Sequence, residues 1–200
     1  MARPAPPIPL DAIRVLPATA EHWPDVVTLL GGSDERGCWC QAWRGALRGS
    51  GGDTGNRARL EAQVRDGAFA PGVIAYLDDV PIGWCGLGPR GAMPRLVSSR
   101  TIPRVDELPA WSIGCFVVRT GYRRRGVTRA LLAGAIDYAR SQGAPCVEAY
   151  PIDPAGARVS ATFGFVGFTS LFETAGFRRV VLTGAHSAGL PRWLMRLDLS

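Results

Sequence analysis

Apolar residues recur along this chain with two spacings, and the switches between them mark out its elements. Ile13-Arg14-Val15-Leu16 reads as a short first strand, and Thr19 is placed to cap a helix running to about Leu30, which Gly31-Gly32 stops. Asn56 to Asp66 reads as a second helix with Leu60 and Val64 four apart on one face, closed by Gly67. Val73–Leu77 and Val80–Leu87 flank Asp78-Asp79 as a hairpin. Residues 90–108 carry Pro94, Pro103 and several arginines, show no clear period and are left unassigned. Trp111 to Val118 is a mostly apolar run, typical of a strand buried on both faces. After it, Val127, Leu131, Ala135 and Tyr138 recur at near-helical spacing in a segment ending at Gly143. Cys146–Tyr150 reads as a strand stopped by Pro151, Thr169–Ala175 as a short helix, and Phe177–Leu182 and Trp193–Leu199 as strands. The order is mixed α/β without an internal repeat.

Composition narrows the class. A chain of 200 residues with 46% hydrophobic and 20% charged residues can bury a core of its own. Residues 1–10, with Pro4, Pro6, Pro7 and Pro9, are expected to form a flexible arm outside that core, leaving 11–199 as one domain. The Pro-rich start does not suit a signal peptide, and no run approaches the ~20 apolar residues of a membrane helix, so a cytoplasmic protein without a membrane partner is expected. Cys38, Cys40, Cys85, Cys115 and Cys146 form an odd set with no C-x-x-C pair, and His22 and His186 lie far from them, so neither a disulfide framework nor a metal site is indicated. All 23 basic residues are arginine and the formal charge is +6, which favours anionic ligands. The arginines are dispersed except at 123–125 and do not interleave with aromatics, so nucleic acid is not expected as a partner.

The informative junction is Arg119-Thr120-Gly121-Tyr122-Arg123-Arg124-Arg125-Gly126, where a buried strand turns directly into an amphipathic helix. The first amides of a helix lack intrahelical acceptors and sit at the positive end of its dipole, so such a turn binds anions through its backbone. Gly126 allows close approach, and the flanking arginines add charge-assisted donors. A pyrophosphate suits the place.

On these residues the chain resembles the GNAT superfamily of acyl-CoA-dependent N-acyltransferases, whose signature is Arg or Gln, two residues, Gly, one residue, then Gly or Ala. Arg123, Gly126 and Thr128 take those positions, Thr128 being a departure. Leu171–Phe177 resembles the family's later helix and Gly-Phe strand start. The resemblance implies an α/β fold with a mixed, twisted sheet of about six to seven strands, flanked by helices and splayed between the fourth and fifth strands. It implies acetyl-CoA as acyl donor, with the strand at Phe116, Val117 and Val118 pairing with pantetheine and Arg123, Arg124, Arg125, Gly126, Val127, Thr128 and Arg129 holding the pyrophosphate. The implied reaction is direct attack by a primary amine of a small molecule or protein, with a homodimer left open. The alternatives are an acyl-CoA-binding sensor without turnover and an RNA-associated acyltransferase.

Catalytic groups are less legible. The family's usual base and acid positions fall here on Ser112 and Phe172, which cannot take those roles. Glu148 and Tyr150 alternate on one strand and so share a face, which makes them candidate base and acid; the plain alternative is an ion-paired glutamate beside a rim aromatic. Asp153 is a weaker candidate base, more simply a turn former, and Glu173 is expected to face solvent. Trp39, Trp43 and Arg44 either wall an acceptor pocket or simply pack their loop. Cys38 and Cys40 read as buried small residues and Cys115 as a core thiol.

Overall fold

The computed structural model describes residues 6–31, 37–45, 55–154, 156 and 164–199. The first five residues of the expected arm and residues 46–54 of the Gly-rich stretch lie outside them. Seven strands form one sheet: β1 (Arg14–Pro17), β2 (Gly72–Leu77), β3 (Val80–Pro89), β4 (Trp111–Val118), β5 (Cys146–Ala149), β6 (Arg178–Ser187) and β7 (Leu190–Asp198). They lie in the order β1-β2-β3-β4-β5-β7-β6. The β4–β5 pair is parallel and the other neighbours are antiparallel.

The helices α1 (Trp23–Leu30) and α2 (Asn56–Asp66) cover one face. There Trp23, Val26, Leu29, Leu60 and Val64 pack with Ile74 and Trp84 of the sheet. The short α3 (Pro94–Val97) follows β3. The opposite face is covered by α4 (Val127–Ser141), whose Val127, Leu131, Leu132, Ala135 and Ala139 are all buried. They meet Val73, Ile82, Ile113, Phe116 and Val147. Each such Val, Leu or Ile stabilises the fold by about 1.5–3 kcal/mol relative to exposure, which is why the apolar stripe of α4 fixes its docking. The last helix, α5 (Thr169–Thr174), buries Phe172 edge-on against Phe177, with ring centroids 5.1 Å apart.

Two expectations change, and the unassigned stretch takes form. The arm was expected outside the core up to Leu10, yet Ile8 is buried among the α4-side residues and its amide donates to the Arg125 carbonyl at 2.9 Å. A single apolar residue in a proline run carries too little pattern to reveal this. The last two strands are longer than read, meeting in a tight hairpin at Ala188-Gly189 with φ of 53° and 75°. The unassigned stretch after β3 turns at Arg90–Ala92, forms α3, and passes Asp106 beside the sheet.

Candidate functional site

Strand β4 is the axis of the site. It pairs with β3 along its length, but with β5 only at Trp111, Ser112 and Ile113. Beyond Ile113 the two parallel strands part, so the β5-side backbone edge at Phe116, Val117 and Val118 is released from the ladder. Backbone donors and acceptors left this way need a partner. The pairing of β3 with β4 also slips at Gly86, which faces Cys115 while Leu87 faces Ile113. Gly114 is therefore an extra residue at the point of divergence, as a bulge that re-aims the strand.

The strand runs out into the arginine turn. A 3-10 turn at Thr120–Tyr122 leads to Arg124, at φ 59°, and to Gly126, at φ 94°, which is the N-cap of α4. Glycine adopts that left-handed geometry at no steric cost. No side chain caps the helix. Val118, Tyr122, Arg123, Arg124, Gly126, Val127, Thr128 and Arg129 line one open hollow with Pro7 at its rim. The three consecutive arginines differ in employment. Arg123 donates from Nε to the Val118 carbonyl at 3.0 Å, and Arg125 donates to the Pro6 carbonyl at 2.9 Å with its guanidinium over Tyr122. Arg124 is exposed and makes no hydrogen bond or ion pair among the described residues.

Across β4, on the α1–α2 side, a second, small hollow open to solvent is lined by Cys38, Cys40, Trp43, Arg44, Gly114, Cys115, Met93 and Phe165. Its residues come from the 37–45 loop, from β4 at the bulge and from the segment before α5. The two tryptophans divide the roles that sequence left open. Trp39 is buried and stacks on Trp23 at 6.1 Å, so it packs its loop. Trp43 walls the hollow, and its buried indole nitrogen has no hydrogen-bond partner among the described residues. Arg44 is held by the Leu87 carbonyl. Cys38 is exposed and Cys40 and Cys115 are only partly buried, contrary to the reading of Cys38 and Cys40 as buried small residues and of Cys115 as a core thiol; all three stand at this hollow.

The structure brings Glu148 and Tyr150 together and closes both off, at 2% and 1% exposure. Tyr150 Oη donates to Glu148 Oε2 at 2.9 Å and sits 2.9 Å from Ser112 Oγ. Arg90 Nη1 donates to Tyr150 Oη at 2.8 Å and lies 3.4 Å from Glu148 Oε2. Arg196 Nη2 donates to Glu148 Oε1 at 2.7 Å, and its other amino group pairs with Asp106. Burial, then the Glu148 charge, push the Tyr150 phenol well above its ordinary ionisation range. Arg192 donates to the Tyr150 carbonyl at 2.7 Å, and burial pulls it down to about 10. Glu148 is thus ion-paired, with both carboxylate oxygens engaged, while Tyr150 is enclosed and not the rim aromatic of the sequence alternative. Asp153 and Glu173 both pair with Arg179, at 2.6 and 2.8 Å.

Sequence reasoning missed Arg90, Asp106, Arg192 and Arg196. The one available signal was Arg192 and Arg196 at even spacing on a strand, and it carries meaning only once β7 is known to pair with β5. Among the described residues no group of three or more His, Cys, Asp or Glu is arranged to hold a metal, and no helix is long and apolar enough to cross a membrane.

Comparison with known proteins agrees with this architecture. Among solved structures, the ribosomal-protein-alanine N-acetyltransferase from Brucella melitensis aligns at 19% identity over 93% of this chain and 99% of its own, with a TM-score of 0.53. The structure of yncA, a putative acetyltransferase from Salmonella typhimurium with its cofactor acetyl-CoA, aligns at 15% identity over 94% of both chains, with a TM-score of 0.55. A GCN5-related N-acetyltransferase from Kribbella flavida aligns at 20% identity over 94% of this chain and 99% of its own, with a TM-score of 0.54. At these identities the likeness is one of fold. Comparison with curated protein sequences finds no match. The profile described as the acetyltransferase (GNAT) family matches residues 38–165, most of the chain, including the parting strands and the arginine turn. The chain therefore belongs to the acetyltransferase (GNAT) family.

Proposed function

We propose that this protein is an N-acyltransferase that moves an acetyl group from acetyl-CoA to a primary amine by direct attack in a ternary complex. The observation that carries this reading is the parting of β4 from β5 after Ile113, with the released edge leading straight into the uncapped start of α4. In this reading the edge at Phe116, Val117 and Val118 pairs with pantetheine and polarises the thioester carbonyl. The amides of Val127 and Thr128, with Gly126 and the arginines at 123, 124, 125 and 129, take the pyrophosphate. The amine reaches the thioester from the hollow walled by Trp43 and Arg44, on the other side of the same strand. In this reading Tyr150, on the β5 side of the parting strands with its hydroxyl held between Ser112 and Arg90, is the proton donor to the departing thiolate. Glu148 then has a positioning role in place of the base role expected from sequence, because its oxygens already hold Tyr150, Arg90 and Arg196. The acceptor is a small-molecule or protein amine, and a cytoplasmic setting fits this chemistry.

The same occupied carboxylate favours a second reading, an acyl-CoA sensor without turnover. Calorimetric titration with acetyl-CoA followed by CoA-thiol release over a panel of primary amines separates the two. The enzyme reading expects micromolar binding and amine-dependent release, reduced in Tyr150→Phe by about 10²-fold at unchanged acetyl-CoA affinity. Binding with no release on any amine supports the sensor, and no binding of any acyl-CoA removes both.

A further inference from the structure

One wall of the amine-side hollow is sulfur, which acyl transfer does not use. Cys40 comes from the 37–45 loop and Cys115 from β4, and their Sγ atoms stand 2.8 Å apart. Packing seats them there. Gly86 of β3 lies opposite Cys115, and a Cβ on Gly86 would fall 2.1 Å from Cys40 Sγ and 3.3 Å from Cys115 Sγ. The missing side chain at Gly86 is thus the niche that Cys40 sulfur fills. Cys40 itself has φ 55°, a left-handed geometry uncommon outside glycine, maintained by the surrounding fold. Arg44 Nη1 lies 3.9 Å from Cys40 Sγ.

The two sulfurs are chemically unequal. The hydrogen bond from Cys115, together with the charge of Arg44, outweighs burial and brings the Cys40 thiol down to about 6. Cys115 is pushed up by that same hydrogen bond and by burial. The pull is thus toward a thiolate at Cys40, on the Arg44 side, and toward a thiol at Cys115. Both border a hollow with an open mouth.

We propose that Cys40 and Cys115 are a peroxide-reactive pair that closes to a reversible disulfide, tying the 37–45 loop to β4 beside the amine-side hollow. The Cys40 thiolate attacks one oxygen of hydrogen peroxide; the O–O bond breaks, leaving Cys40 as a sulfenic acid and releasing hydroxide. Cys115 sulfur then attacks Cys40 Sγ, the S–OH bond breaks, and hydroxide leaves with the Cys115 proton as water. The two sulfurs are oxidised and the peroxide reduced. The sulfurs close by ~0.8 Å to reach the ordinary bond length. A dithiol reductant reverses the bond by exchange. The consequence for amine entry rests on the acyl-transfer reading; the cross-link itself does not.

The full-length protein, reduced and then pulsed with hydrogen peroxide, is alkylated with iodoacetamide and digested with trypsin without reductant. The expected product joins peptide 37–44, alkylated at Cys38, to peptide 105–119, lighter than the sum of the two by two hydrogens, and disappears with dithiothreitol. It should persist in Cys38→Ser and vanish in Cys40→Ser and Cys40→Ala, whose intact fold is checked by circular dichroism. Cys40 as sulfinic or sulfonic acid with Cys115 alkylated overturns the proposal, as does a cross-link that survives Cys40→Ser through Cys38. Because mass alone reads this outcome, it is decided whether or not an acceptor amine is found. Failure of the acyl-transfer reading shows instead as absent acetyl-CoA binding, or binding without amine-dependent thiol release, in the reduced protein.

Discussion

Arg124→Glu is expected to weaken acetyl-CoA binding by about 10²- to 10³-fold in calorimetric titration. Arg124 is the member of the arginine run with no protein partner among the described residues, so its guanidinium is available to an anion. Losing a charge-assisted hydrogen bond costs about 1.5–3 kcal/mol. A carboxylate set against phosphate adds repulsion, and a total of about 3–4 kcal/mol gives the stated range at ~1.4 kcal/mol per decade. The control is Arg140→Glu, in the last turn of α4, where the arginine pairs with Asp137 at 3.0 Å. It changes net charge equally, so loss of affinity in both variants would mean long-range attraction and not a local contact. Unchanged affinity in Arg124→Glu would place the pyrophosphate elsewhere.

Glu148→Ala is expected to lower the melting temperature by about 6–20 °C. Glu148 is the carboxylate between the buried Arg90 and Arg196, and its removal leaves Arg90 with the Tyr150 hydroxyl and the Ile102 carbonyl alone. Breaking one side of a buried ion pair costs about 3–5 kcal/mol, because the remaining charge stays desolvated. In a domain of this size each kcal/mol moves the midpoint by about 2–4 °C. Glu148→Gln keeps an acceptor oxygen and should lose less. Calorimetric melting of the two variants beside the parent checks this, and a drop below about 1 °C for alanine would show that the guanidiniums do not depend on Glu148. The effect concerns folding, so it is separate from the loss of thiol release expected for Tyr150→Phe.

Much of the fold was legible in the residues. Trp111–Val118 matched its strand end for end, and Asn56–Asp66 its helix, because an unbroken apolar run and a Gly-closed amphipathic segment each depend on near neighbours in sequence. The turn at Gly126 was legible for the same reason, since a strand, a glycine and an amphipathic helix in series leave little freedom to the backbone between them. Of the candidate site, the geometry of the turn and of the strand leading into it was legible. Glu148 and Tyr150 could be placed on one face by alternation, but their partners could not: Arg90 comes from 58 residues away in sequence. The 90–108 segment that delivers Arg90 and Asp106 has no period to read.

The sequence by itself determined the alternation of strands and helices, the glycine- and arginine-rich form of the turn and the absence of lysine, all of which are local or compositional. The tertiary structure alone decided that Glu148 is enclosed by Arg90 and Arg196, that Ile8 joins the core, and that Cys40 meets Cys115 across 75 residues in the space left by Gly86. The physical reason is that such contacts depend on strand order and register, here β5 beside β7 and the slip of β3 on β4, and these are set by the packing of the whole sheet.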